Sequence, residues 1–316
     1  DDFTSGASGH VAGWRGRLAR VRDRWLDFQM PRPPVEVTAD HARVLVIGID
    51  RPTVESRMAA TLTELRRSRN ADVTVRTTFA GTRGKFENLN ALLAAEDLGA
   101  YDWLLVVDDD IDLPAGFLDR FLAHAGDARL AQPAHRLHSH AAWAHTRRRK
   151  KSLVRPTTFV EIGPVTAFHR DTFATLLPFP DLRMGWGLDA HWAAVARDHG
   201  WPMVIVDATP IGHTVRPAAA TYPRELALQE ARAFLADRPY VTRVEVRTPD
   251  LDLAREVLAR WGLESQPGPI DSSLTAALTT SIPVEQLSEA LVTAGVRLRG
   301  FTAAGASLED RFVALT

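Results

Sequence analysis

Five consecutive large apolar residues, Trp103–Val107, run without a break into Asp108, Asp109 and Asp110, with Asp112 following. An unbroken apolar run of this kind, bounded by charge, reads as a strand covered on both faces. Such strands belong to open α/β sheets, which take their ligands at the carboxyl ends of the strands. Three adjacent carboxylates repel one another unless a cation neutralises them, and Mg²⁺ and Mn²⁺ favour carboxylate oxygen. The competing reading is a solvated acidic turn in which Asp112 caps a helix over 114–122.

The rest of the chain extends this pattern. Residues 44–47 read as a buried strand, 48–52 as a turn, and Thr53 as the cap of a helix whose apolar face is Met58, Leu62 and Leu65. A strand over 73–79 and a helix over 86–95 precede the acidic strand. Strands over 159–162 and 165–168, an Asp171-capped helix and the segment 185–213 follow it. Strands alternating with helices predict a mostly parallel, doubly wound sheet. A helix over 224–236 closes this domain, assigned to 42–240. From 241 to 316 a smaller α+β unit follows, with strands at 243–247 and 296–301 and helices at 251–261, 284–294 and 308–315. That order is compatible with a β-α-β-β-α-β plait, although 262–281 gives no firm strand.

Ahead of the sheet, residues 1–9 read as a disordered lead-in to an N-terminal segment, 1–35. Trp14, Leu18, Val21, Trp25 and Phe28 recur at helical spacing, with Arg15, Arg17, Arg20, Arg22 and Arg24 between them. This basic amphipathic helix, 11–28, either lies on an anionic membrane as a peripheral contact or packs its stripe on the domain that follows; packing is the favoured reading. Pro31, Pro33 and Pro34 end it.

With 316 residues and a net charge of −1, the chain has no basic excess that argues for nucleic acid. It contains no cysteine, which excludes disulfides, thiolate metal sites and cysteine nucleophiles and fits a cytoplasmic protein. No apolar run approaches the ~20 residues of a membrane-spanning helix. No signal peptide is visible in a chain that starts at Asp1 without methionine, so a leader or tag is read as removed.

Three further segments bear on the acids. RGKFENLN, 83–90, opens a helix with a glycine, Lys85 and the amides Asn88 and Asn90, a start that suits a phosphate or is an ordinary exposed turn. In 184–189, two glycines flank Trp186, whose flat face suits a sugar ring. Asp189, at the start of the next helix, is either its N-cap or a general base. VIVDATPIGH, 204–213, is a buried strand ending in His213, either structural or a third metal ligand beside the acids.

In this order the parts resemble the GT-A fold glycosyltransferases, family 2-like members in particular, over about residues 42–217. VVDDD resembles their DxD element, RGKFENLN their donor-site segment, GWGLDAHW their G-W-G-x-D segment, and VIVDATPIGH their late strand and histidine. The resemblance implies a GT-A, Rossmann-like sheet with helices on both faces and a metal-dependent hexosyl transfer from a nucleotide sugar to an acceptor hydroxyl, with inversion. It implies that Asp108, Asp110 and His213 hold Mn²⁺ or Mg²⁺ and that Asp50, Lys85 and Asn88 lie at the nucleotide. Trp186 would contact the donor, Glu161 in FVEIGPVTAF would border the acceptor, and Asp189 would deprotonate it. A UDP-sugar is favoured over a GDP-sugar, with a glycan or lipid-linked acceptor, at the inner face of a bacterial membrane or in the cytoplasm. A homodimer is compatible with this reading. DDD offers a second register, Asp110 with Asp112; the first is preferred because it abuts the strand.

The tail, 243–264, 287–301 and SLEDRFVALT at 307–316, resembles the C-terminal accessory domain of bacterial ABC-transporter ATPase subunits, although no Walker A motif exists in the chain. It is read as a fused module that stabilises or dimerises the enzyme. His135, His138, His140 and His145 have a spacing that attracts zinc, but no acid or cysteine joins them in sequence. Residues 147–151, RRRKK, read as a solvated mobile loop or, functionally, as a clamp for diphosphate. Two other classes remain. One is a non-catalytic binding or adaptor protein on the same fold. The other, less favoured, is a metal-dependent phosphatase or nucleotide hydrolase using Asp110 and Asp112.

Overall fold

The computed structural model describes residues 10–30, 41–51, 54–217, 220, 222–236, 242–268, 270–278 and 284–304. The lead-in at 1–9, the prolines at 31–34, the Thr53 cap and the helix at 308–315 lie outside them. The chain divides into two compact units, Asp1–Ala231 and Arg232–Thr316.

The first unit opens with α1 (Gly13–Gln29) and then enters β1 (Ala42–Asp50), α2 (Met58–Leu65), β2 (Ala71–Phe79), α3 (Lys85–Leu93) and β3 (Trp103–Val107). It continues through β4 (Ile111–Asp112), α4 (Phe117–Ala125), β5 (Leu130–His135), β6 (Val154–Thr157), β7 (Val165–His169), α5 (Phe173–Leu176), α6 (Leu188–His199), β8 (Met203–His213) and the part of α7 (Arg224–Ala236) up to Ala231. The sheet order is β2-β1-β3-β7-β5-β8-β4, with β6 also on β8. Strands β1, β2, β3, β5 and β8 run one way; β4, β6 and β7 run the other.

Alternate residues of the central strands serve two cores. Val44 and Val46 of β1 and Leu105 and Val107 of β3 meet Met58, Leu62 and Leu65 of α2 and Phe117 and Phe121 of α4. On the opposite face Phe168 of β7 packs edge-on against Trp192 of α6, with ring centroids 4.9 Å apart. Phe86 of α3 joins that group through Phe179. Helices therefore cover both faces, and β3 is buried along its whole length, as an apolar strand between two helix layers must be.

Several local expectations are corrected. Residues 159–162 form no strand; they are buried through Phe159, Val160 and Glu161 as an irregular segment between β6 and β7. Asp171 caps no long helix: the His169 ring accepts from its backbone N–H, and α5 is four residues long. Asp112 is not the cap of α4, which starts at Phe117 after Gly116; it pairs with Arg57 instead.

The orientation of α1 reverses the favoured reading. Its apolar stripe faces outward, with Trp14, Leu18, Val21, Trp25 and Phe28 all exposed, while Gly16, Ala19, Asp23 and Leu26 are buried. Asp23 accepts from the backbone N–H groups of Leu137 and His138, both at 3.0 Å, and from the His138 ring at 2.6 Å. Asp27 takes Arg136 and Arg148, each at 2.8 Å. The run at 147–151 is accordingly not a free loop. Arg148 is buried and holds α1, and Lys150 sits 4.5 Å over the Trp25 ring.

The second unit contains β9 (Thr242–Arg247), α8 (Leu251–Arg260), β10 (Ser265–Pro267), β11 (Ser273–Leu278), α9 (Val284–Thr293) and β12 (Gly300–Ala304). Its four strands are antiparallel in the order β10-β11-β9-β12. Val244, Val246, Leu258, Leu274, Leu287 and Leu291 form its core. The ambiguous stretch 262–281 thus supplies two strands, and the last strand starts at Gly300 rather than 296.

Candidate active site

A cavity of about 960 Å³ opens in the first unit at the carboxyl ends of β1, β3 and β8. Lys85, Asn88, Asp108, Asp110, Glu161, Trp186, Asp189 and His213 all line it. These residues come from five separated segments. Asp50 does not line it: its carboxylate accepts from Ser56 at 2.6 Å, and its neighbours Ile49 and Arg51 face the cavity instead.

The acidic run is divided by alternation. Asp108 receives Lys85 Nζ at 2.6 Å, and Lys85 also donates to the carbonyl of Ile162 at 3.1 Å. Asp109 turns away from the cavity and is fully buried. Arg51 Nη2 donates to it at 2.8 Å, and Arg216 is its second partner. Asp110 faces the cavity, 3.3 Å from His213 Nε2 and 3.1 Å from Arg216 Nε. The pairing of Ile111 with His213 in the β4–β8 ladder sets this contact. Burial alone would push the Asp110 carboxyl up, but His213, Arg216 and Arg51 hold it below its ordinary value. Burial pulls His213 down, and Asp110 overrides this to leave the imidazole above its ordinary value. Asp112, bound to Arg57, does not line the cavity, so Asp110 and Asp112 do not form a pair facing one substrate.

Among the described residues no group of three His, Asp or Glu side chains is arranged to hold a metal. Asp110 and His213 nevertheless offer a carboxylate and an imidazole side by side, the donor chemistry that Mn²⁺ accepts. Divalent ions in nucleotide sites are commonly held by one or two protein ligands and complete their shell with phosphate oxygens and water. The pair fits an ion that arrives with a diphosphate. The histidines of 135–145 do not converge: His135 bonds Glu161 at 3.0 Å, and His138 bonds Asp23.

The opposite wall is built on α6 and α7. Asp189 lies in the first turn of α6, whose N-cap is Gly187, so Asp189 is not the N-cap residue. Its Oδ1 accepts from the backbone N–H of Ala190 at 2.9 Å. Burial drives its pKa up to about 7, with nearby Glu161 adding to the rise and the helix N–H groups opposing it. Glu161 is buried and bonded to His135, to the N–H of Trp143 at 3.1 Å and to Thr146 Oγ1 at 2.8 Å. Trp186 packs on Ala227, Leu228 and Ala231 of α7 and donates through Nε1 to the Tyr222 hydroxyl at 2.9 Å.

Two close approaches hold the segments around the cavity together. Gly185 has φ +83°, and a Cβ there would lie 2.1 Å from the Phe86 ring. A Cβ on Gly163 would lie 2.8 Å from Asp108 Oδ2 and 2.9 Å from Lys85 Nζ. Asn88 works on the backbone, donating to the carbonyls of Ala80 at 2.9 Å and Gly84 at 3.0 Å and so shaping the turn before α3.

The sequence reading missed Arg51, Arg216, Tyr222 and Arg224, which all line the cavity. Cations bound to a buried acid far along the chain carry no local signature. With Arg83, Lys85 and Arg183 they set cations on the walls alongside the acids Asp108, Asp110, Glu161 and Asp189.

No protein-family model matches the chain, and no curated protein matches it. Among solved structures it is similar to A197 from STIV, at 11% identity and a TM-score of 0.38, covering 55% of this chain and 86% of that one. It is also similar to GalNAc-T7, solved with UDP, GalNAc and Mn²⁺, at 13% identity and a TM-score of 0.39, over 71% of this chain and 57% of that one. A third is the catalytic domain of Drosophila β1,4-galactosyltransferase 7 in complex with xylobiose, at 12% identity and a TM-score of 0.40, over 79% of this chain and 98% of that one. At such identities and scores the assignment of roles rests on the chain's own geometry.

Proposed function

We propose that the first unit is a GT-A fold, family 2-like glycosyltransferase that moves a hexosyl group from a nucleotide sugar to an acceptor hydroxyl, with inversion. The observation that carries this reading is the meeting of a high-pKa carboxylate, Asp189, with the Asp110–His213 pair and a cationic wall in one cavity. The donor is a UDP- or GDP-sugar, and the acceptor a glycan or lipid-linked sugar.

Lys85, Arg51 and Arg216 orient the diphosphate and stabilise the negative charge that develops on it. Asp189 takes the acceptor proton as the hydroxyl oxygen bonds to the anomeric carbon. The bond from that carbon to the phosphate oxygen breaks, and its electron pair leaves with the nucleoside diphosphate. A divalent cation held by Asp110 and His213, when bound, offsets the negative charge of that leaving group. Trp186 supports the sugar, and Glu161 borders the acceptor.

The test is donor consumption over a panel of UDP- and GDP-sugars with Mn²⁺, on wild type and Asp189→Asn. The reading expects turnover of one donor, reduced about 10²- to 10⁴-fold in the variant with nucleotide affinity unchanged. Equal turnover in both would remove Asp189 from the chemistry.

A further inference from the structure

We infer that the outer face of α1 is a docking surface for an anionic lipid bilayer. At about 100° per residue, Trp14, Leu18, Val21, Trp25 and Phe28 fall in one narrow stripe along the helix. All are exposed, from 48% for Trp25 to 88% for Phe28. Solitary exposed apolar residues are ordinary, but a continuous aromatic-rich stripe on one helix marks an interaction surface.

The stripe is held outward by specific bonds. Asp23 lies on the opposite side of the helix and is clamped by Leu137, His138 and Arg148, while Asp27 is clamped by Arg136 and Arg148. The helix cannot turn its stripe inward without breaking these contacts. They also remove both acids of α1 from the outer face.

What remains around the stripe is positive. Arg15 and Arg22 line one margin, Arg17 and Arg24 the other, and all are exposed. Lys150 extends the rim, resting over Trp25. Aromatic residues between two rows of arginine suit an interface in which rings enter the acyl boundary and guanidinium groups meet lipid phosphates. A second copy of the chain is a poorer occupant. Pairing two such stripes would bring arginine rows together with no outer acid on α1 to offset them.

The test is co-sedimentation of the full chain with vesicles of phosphatidylcholine alone and of phosphatidylcholine mixed with phosphatidylglycerol. The expected result is binding to the mixed vesicles only, weakened by added salt. The double substitution Trp25→Ser and Phe28→Ser should lower binding at least about tenfold, and Arg15→Gln with Arg22→Gln should lower it while leaving the stripe intact. Both sets are exposed, so thermal unfolding should match wild type. Three results overturn the inference: no pelleting with anionic vesicles, pelleting of both variants as for wild type, or a dimer at sedimentation equilibrium that the Trp25 and Phe28 substitutions dissolve.

Discussion

Asp110 and His213 stand with Oδ2 and Nε2 3.3 Å apart, brought together by the short β4–β8 ladder in which Ile111 lies opposite His213. The next residue back, Asp109, points the other way and holds Arg51 and Arg216 in the cavity wall. One acidic run thus does two jobs, presenting Asp108 and Asp110 to the cavity and burying Asp109 as an anchor for cations.

The rate of transfer should depend on the protonation of Asp189. With its pKa at about 7, the base is lost as pH falls through neutrality, so kcat should drop below about pH 7 and level off above it. The same shift has a thermodynamic sign. The folded carboxyl holds its proton more tightly than the unfolded one, whose ordinary value is 3.8. Stability should therefore decline as pH rises from about 4 to about 7 and then stay flat. Thermal melts across this range should show a smaller decline for Asp189→Asn than for wild type.

Removing the anchor of α1 should release it. In Asp23→Ala the buried Arg148 loses a carboxylate, and the backbone N–H groups of Leu137 and His138 lose their acceptor. A cost of about 3 kcal/mol is expected for breaking a buried charged network from one side, read as a lower urea midpoint and faster proteolysis within 13–29. Burial alone would raise the Asp23 carboxyl, but His138 and the two N–H groups hold it below its ordinary value. Its stabilisation is present above that ordinary value and is lost as pH falls through the lowered one. Acid should therefore loosen α1 in wild type and change little in the variant.

Gly185→Ala should lower stability. The new methyl would meet the Phe86 ring at 2.1 Å, at a φ of +83° that L-residues disfavour. Overpacking and backbone strain together predict about 2–3 kcal/mol of destabilisation, visible as a shifted denaturant midpoint. An unshifted midpoint would mean that Phe86 moves aside freely.

Much of the fold was legible because burial leaves a pattern. The apolar run of β3 and the periodicity of α7 emerged with boundaries close to those found, whereas α2 has the expected apolar face but starts at Met58 after Arg57, later than a cap at Thr53 would place it. Strand β5 did not, since LAQPAH contains Gln132, Pro133 and His135; Gln132 and His135 are buried only because each bonds to Glu161. The segment around Glu161 looked like a strand for the converse reason, being apolar and buried without sheet pairing. The stripe of α1 was read as inward because apolar faces usually are. Asp23 and Asp27 decide otherwise through partners in 136–148, more than a hundred residues away in sequence. Of the candidate site, the residues within apolar strand ends and glycine turns were visible, whereas Arg51 and Arg216 depended on long-range ion pairs.

The most direct measurement is calorimetric titration of UDP and GDP into wild type and Asp110→Asn, each with and without Mn²⁺. One nucleotide should bind wild type, Mn²⁺ should strengthen this binding, and the substitution should remove the Mn²⁺ effect while the chain stays folded. Absence of binding by either nucleotide with or without Mn²⁺, or a Mn²⁺ effect that survives the substitution, would contradict this reading.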